Sequence, residues 1–264
     1  MARASSPVQA GPWAWALGGA ALGLALAFAL FMPASWLAGW VARASGGHVL
    51  LADARGTVWD GSAQLTFSGG AGSTDAATLP GRVQWQLRPR LAGVAAAIHA
   101  DCCTPAQPLA VQARWRAGGA HIDIADARSQ WPAALLAGLG TPWNTLQPEG
   151  DLALATQGLS VEWVEGRLAV AGRAELVAQR MASRLSTLRP MGSYRITLQG
   201  GNVPTLRLQT LEGSLQLSGS GQWVGSRLRF SGEASAAPER EAALANLLNI
   251  IGRRNGPRSI ITIG

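Results

Sequence analysis

Few residues in this chain have the types and spacing for chemistry. His99-Ala100-Asp101-Cys102-Cys103, with His121 further on, is the one run that gathers ligand-type side chains. Adjacent cysteines chelate poorly: in an extended chain their side chains point to opposite faces, and structural zinc sites space their thiolates by two or more residues. In an oxidising compartment the only two cysteines would normally pair. Neighbouring Cα atoms lie about 3.8 Å apart across a trans peptide, shorter than the usual disulfide span. Cys102 and Cys103 are therefore candidates for a vicinal disulfide in a turn flanked by Pro105. Free or transient thiols, a bridge to another chain and a metal site stand as the alternatives. Asp53 and Asp60 could be imagined as paired carboxylates for glycoside hydrolysis, but Asp60 precedes Gly61 and reads as the first residue of a turn. No nucleophile elbow, phosphate loop, dinucleotide fingerprint or His-Glu-x-x-His pattern occurs. The expectation is a protein with no catalytic residue, no cofactor and no metal site: a non-enzyme.

The elements that carry these residues read as strands. Val83, Trp85 and Leu87 alternate with polar neighbours, and so do Leu109, Val111, Ala113 and Trp115. The same period of two recurs at Ile122 and Ile124, at Leu159, Val161 and Trp163, at Ile196 and Leu198, at Leu215 and Leu217, and at Leu228 and Phe230. Turn pairs separate them: Asp60-Gly61, Gly118-Gly119, Glu165-Gly166 and Glu212-Gly213. Alternation leaves one polar and one apolar face. It predicts hairpins in a long, curved antiparallel sheet whose apolar concave face needs a helix, lipid or protein partner. Of the eleven tryptophans, Trp85, Trp115 and Trp163 lie in phase with aliphatic neighbours and are expected in the core. Two short helices are expected on the sheet. One runs from Trp131 to Leu139 with Ser129 as a cap and Gly140 as its stop. The other opens at Pro238, carries Leu244, Leu247, Leu248 and Ile251 as a stripe, and ends at Gly252. Ile260-Ile261-Thr262-Ile263 is expected to return as a last strand.

Trp13 to Met32 holds no charge over twenty residues, which as a helix spans about 30 Å and matches a hydrocarbon core. Pro12 and Pro33 bracket it, and Trp13, Trp15, Trp36 and Trp40 lie near its ends as interfacial anchors do. A cleaved signal sequence, with Ala42-Arg43-Ala44 as its site, is the weaker reading because the apolar run is longer than such sequences carry. The resulting division is a cytoplasmic tail over 1–12, a transmembrane helix over 13–32, a connector over 33–47 and a β-rich domain over 48–264. Flanking charge hardly fixes direction, with Arg3 and the amine on one side and Arg43 and Arg55 on the other. A large domain, however, translocates largely regardless of its own charge.

The net charge of +7 comes from arginine alone, spread from Arg3 to Arg258, in a chain with only 14% charged residues. Nucleic-acid binding would cluster that charge on one face with stacking aromatics, so no nucleic-acid partner is expected.

The single span, Pro33-Ala34-Ser35-Trp36-Leu37 and the stretch Gly56-Thr57-Val58-Trp59-Asp60-Gly61-Ser62-Ala63 together resemble the start of the type II secretion system protein N family, also called general secretion pathway protein N. Leu211 to Trp223, Arg229 to Ala234 and the Leu244–Gly252 segment with its closing Gly264 are similar to that family's C-terminal pattern. The resemblance implies a bitopic protein of the Gram-negative inner membrane with its C-terminal domain in the periplasm. It implies an accessory to the export of folded proteins, whose partners are other subunits of the secretion system. It carries over no catalytic residue; Trp59, Asp60 and Gly61 are the family-like motif. The Trp-Asp-Gly-Ser stretch also resembles AsmA-like proteins, which are membrane-anchored, β-rich and associated with lipid handling. That second resemblance implies phospholipid as a ligand.

Overall fold

The computed structural model describes residues 13–104, 107–116, 118–164, 167–225 and 227–264. The tail over 1–12, Pro105 and the Glu165-Gly166 turn lie outside the described residues.

The first helix, α1, runs Trp13–Leu30, 18 residues without a charge, and ends two residues short of the expected Met32. At 1.5 Å per residue it measures about 27 Å. Pro33 disfavours helical backbone at the residue before it and holds φ −63°, ψ 145°, which closes the run early. Among the described residues no helix is long and apolar enough to cross a membrane. The expected connector over 33–47 contains a second helix, α2 (Ala34–Ala44), which starts directly at Pro33.

The strands that follow are β1 (Val49–Gly56), β2 (Asp60–Ser68), β3 (Ala76–Thr78), β4 (Val83–Arg90), β5 (Gly93–Ala100), β6 (Leu109–Arg116), β7 (Gly119–Ile124) and β8 (Ala127–Pro132). A 3₁₀ helix (Ala133–Leu139) and the short α3 (Trp143–Leu146) then lead to β9 (Pro148–Val164) and β10 (Arg167–Ser183). The chain closes with β11 (Gly192–Gly201), β12 (Thr205–Gly213), β13 (Leu215–Val224), β14 (Arg227–Ala236), α4 (Glu241–Ile251), β15 (Arg253–Asn255) and β16 (Arg258–Ile263). All 16 strands belong to one antiparallel sheet, ordered β1-β2-β4-β5-β6-β7-β9-β10-β11-β12-β13-β14-β16-β15, with β3 on β2 and β8 on β9. Strand β9 pairs with β8 along its first half and with β7 along its second, so one 17-residue strand joins the two parts of the meander.

Register places the alternating residues on one face. Trp85 opposes Ile98, Ile98 opposes Leu109, Val111 opposes Ile124, and Ile122 opposes Val161. Three sets of helices and turns cover parts of that face. Beneath α2 lie Ala63 and Trp85, with Leu37 and Leu51 packed beside them. Leu135 of the 3₁₀ helix packs with Leu79, Val83 and Ala100. Leu244, Leu247 and Leu248 of α4 cover Ala178, Tyr194, Leu215 and Ala234.

Several sequence expectations shift. The segment Trp131–Leu139 is not one helix: Ser129 and Trp131 belong to β8, where the Ser129 hydroxyl accepts the Trp131 indole N–H, and the 3₁₀ turn starts at Ala133. Helix α4 starts at Glu241 rather than at Pro238, because Glu239 sits at φ +64°. Trp85 is buried as expected, but Trp115 and Trp163 are 64% and 49% exposed. They share the apolar face yet lie beyond the reach of any covering element. Along β9 exposure climbs from Leu159 at 7% to Trp163 at 49%.

Candidate functional site

The family-like motif builds a junction between the sheet and the end of α1. Strands β1 and β2 pair up to Gly56 opposite Gly61, so the connecting residues are Thr57, Val58 and Trp59. Asp60 and Gly61 open β2 rather than forming the turn, because Thr57 closes it. The Thr57 N–H donates to the Asp60 carbonyl at 2.8 Å, and its hydroxyl accepts the Asp60 N–H at 3.0 Å. Gly61 is demanded by crowding: a Cβ there would lie 2.6 Å from the Trp85 ring, 2.7 Å from the Thr57 carbonyl and 2.8 Å from the Arg55 carbonyl.

The tip of this turn reaches α1. The Trp59 indole N–H donates to the Ala29 carbonyl at 2.6 Å, and the Val58 N–H donates to the Met32 carbonyl at 2.9 Å. Ala29 lies in the last turn of α1, where carbonyls lack helical partners, so Trp59 serves as a side-chain cap. Pro33 pairs with Thr57 in an isolated bridge, Trp85 donates to the Val58 carbonyl at 3.0 Å, and the Leu87 N–H donates to the Trp59 carbonyl at 2.7 Å. Phe28 and Trp36 meet edge to face at 5.5 Å, tying α1 to α2. The sheet, α1 and α2 thus converge on three residues of one turn.

The cysteine run sits after β5. Cys102 and Cys103 are bonded to each other, with Cys103 fully buried beside Leu79 and Leu135 and Cys102 exposed. Thr104, also buried, accepts the Ala100 N–H at 2.8 Å through its hydroxyl and holds the turn closed. His99 faces Asp101 at 3.2 Å. His121 is not part of this group: it opposes Arg114, whose β5 partner is Gly93, six positions along the strand from His99. It bonds Asp123 at 2.9 Å instead, and its Nδ1 is buried without a partner among the described residues. Among the described residues no three His, Cys, Asp or Glu side chains converge as a metal site would require.

The carboxylates are occupied by arginines. Asp53, at φ +48° in a β1 bulge, accepts Arg82 and Arg55 at 2.8 Å each, and Arg82 also donates to the Asp53 carbonyl at 2.6 Å. Those hydrogen bonds, Arg82's first, hold the Asp53 carboxyl below the ordinary carboxylate value. Asp60 shares none of these contacts; its backbone bonds Thr57. Burial pushes Asp123 upward, but the hydrogen bonds from His121 and Arg114 outweigh it and leave that carboxyl below the ordinary value as well. Burial alone raises the Tyr194 hydroxyl, which has no hydrogen-bond partner among the described residues. Arg82 and α2 escape a reading by motif. The signal for α2 was the spacing of Leu37 and Val41 beside Trp36 and Trp40, two stripes about 100° apart on one helix.

A polar depression of about 520 Å³ lies between β2, β4 and β5, lined by Arg55, Asp60, Ser62, Arg82, Gln84 and His99 among others. Its acid, Asp60, is exposed, and its histidine, His99, meets Asp101 at 3.2 Å on one ring nitrogen and the buried Thr104 hydroxyl at 3.2 Å on the other.

These features define a class: a β-rich, one-sheet protein led by an apolar helix, α1, and an amphipathic one, α2. The family model for Type II secretion system (T2SS), protein N, matches residues 47–261, and the chain belongs to that family. No curated relative matches the chain, and no solved structure does. The protein is therefore a component of the type II secretion apparatus by family.

Proposed function

We propose that the protein is a non-enzymatic accessory of type II secretion. In this reading α1 anchors it in the inner membrane, and its sheet contacts other secretion subunits in the periplasm to support the export of folded proteins. The observation that carries the proposal is the family match over 47–261. The contact surface in this reading is the uncovered strip of the apolar face, where Trp115 and Trp163 flank Ala120 and Ile122 lies in the next row. Contiguous exposed aromatic surface of this kind favours a protein or lipid partner over water.

Support for the anchor comes from α1 itself. It carries no charge, and Leu17, Leu22, Leu24, Leu26 and Phe28 are all at least half exposed. The helix alone falls short of a span, but the uncharged run it belongs to, Trp13 to Met32, is twenty residues, the length a hydrocarbon core asks for. A large domain follows it, which favours a periplasmic address.

Deletion of the gene should leave type II substrates folded but trapped in the periplasm. Trp115→Asp with Trp163→Asp should fail to restore their release while keeping the native unfolding midpoint. Normal secretion in the deletion strain would sink the proposal. A phospholipid ligand, implied by the AsmA-like resemblance, draws on the same bare strip. Mass spectrometry of the detergent-purified chain separates the two: a stoichiometric co-purifying phospholipid would favour the lipid reading, and a lipid-free sample the protein partner.

A further inference from the structure

We infer that α2 lies flat in the membrane interface and that its outer face, Trp36 and Trp40 followed by Arg43, sets the domain's posture on a surface of anionic lipid. This rests on the anchor reading and goes beyond it, because it assigns α2 a ligand of its own.

Helix α2 has two unlike sides. Ala34 and Leu37 pack inward on Ala63, Trp85 and Leu51. Trp36 and Trp40, 56% and 63% exposed, sit one turn apart on the outer side, and Arg43 continues that stripe another turn on, its guanidinium donating to the Gly39 carbonyl at 3.1 Å. An outer face of tryptophan and arginine on a helix too short to span is the pattern of a segment lying in the headgroup layer. A protein core would have turned these rings inward.

Position commits the occupant to lipid. Phe31, Met32 and Pro33 alone separate α2 from the end of α1, and Phe31 is 74% exposed. The edge-to-face contact of Phe28 with Trp36 and the bond from Trp59 to Ala29 hold the two helices in one arrangement. If α1 is in the bilayer, the outer face of α2 is held at its boundary.

Charge agrees. The first acidic residue of the chain is Asp53, so none accompanies α1 or α2. The hairpin of β4 and β5 adds Arg88, Arg90 and the fully exposed Leu91, with no acidic residue between 76 and 100. Gln86 opposes Asp60, so four residues of β4 continue past the junction, about 13 Å at strand rise. Arginines near an anionic surface each add attraction of about 1 kcal/mol, or roughly fivefold in affinity.

The test uses the full chain reconstituted in vesicles of phosphatidylethanolamine and phosphatidylglycerol, with phosphatidylcholine vesicles as the neutral reference. Trp36→Phe with Trp40→Phe removes their emission while keeping aromatic bulk, so the difference spectrum isolates those two rings. That difference emission should be quenched by phospholipid brominated in its acyl chains and shielded from aqueous iodide. The shielding should be greater in the anionic vesicles, and Arg43→Glu with Arg88→Glu should abolish that increment. Emission open to iodide and untouched by brominated lipid, from a chain that resists alkaline carbonate, would overturn the assignment of α2 alone. Release of the chain by alkaline carbonate would overturn the anchor, and the placement of α2 with it.

Discussion

The apolar face of the sheet meets two fates. Under α4, Leu215 and Ala234 are closed over by Leu244, Leu247 and Leu248, all nearly inaccessible. Under no element, β6, β7 and β9 present Trp115, Ile122 and Trp163 to solvent from the same face. Alternation in sequence is identical in the two places. What differs is whether the chain later supplies a helix long enough to lie across the strands, and the 11 residues of α4 reach only one end of them. An apolar face is a local property of a strand, whereas its cover is a decision made far away in the chain.

The sharpest test of this contrast is a pair of truncations. Leu247→Ala should cost about 2–5 kcal/mol by leaving a cavity under α4, whereas Trp115→Ala should stay within about 0.5 kcal/mol. Denaturant unfolding of the purified chain measures both, and equal losses would mean that the strip is covered after all. Gly61→Ala comes next, at about 1–3 kcal/mol, because the new methyl meets the Trp85 ring and two carbonyls. Full stability in that variant would show that the turn can relax. Trp59→Phe should lose about 0.5–1.5 kcal/mol with its bond to Ala29. The loss should appear as faster proteolysis at Phe31–Met32 with the unfolding midpoint of the sheet held, and a shifted midpoint would argue that the junction supports the core instead.

The smallest effect is electrostatic. The folded carboxyl of Asp53 titrates below its ordinary 3.8, since Arg82 and Arg55 favour the charged form. A depressed acid stabilises the fold fully above the unfolded value and loses that contribution as pH falls through the lower folded one. The stability gap between wild type and Asp53→Asn should therefore be constant above pH 3.8 and close below it. A gap that persists in stronger acid would trace the effect to the bulge rather than the charge.

Much of the fold is legible in the sequence because a strand's period is short and self-contained. The stripes at Val83–Leu87, Leu215–Leu217 and Leu228–Phe230 lie on one face of one sheet, and the expected closing strand forms at Ile260–Ile263, with β14 as its neighbour. Burial was less legible: Trp115 and Trp163 carry the same phase as Trp85, and phase says nothing of cover. The junction was visible only as a pattern of residue types. Trp59-Asp60-Gly61 marked the place, but Asp60-Gly61 also has the composition of a two-residue turn, and the Thr57 hydroxyl, which moves the turn three residues earlier, competes without leaving a signature. Helix α2 went unread for a related reason. Its 11 residues fall inside the stretch 33–47 expected as a connector, because Trp36 and Trp40 read as the flank of the longer apolar run.

The strand order has a consequence for how such a chain comes to be folded. With few exceptions each strand lies beside the one made just before it, starting from the turn that grips α1. A polypeptide made from its N-terminus presents its strands in that same sequence, so nearly every new hairpin finds its template edge already waiting. The sheet can then be laid down like courses of brick from α1 outward, with α4 and the final strand arriving last to close the far end.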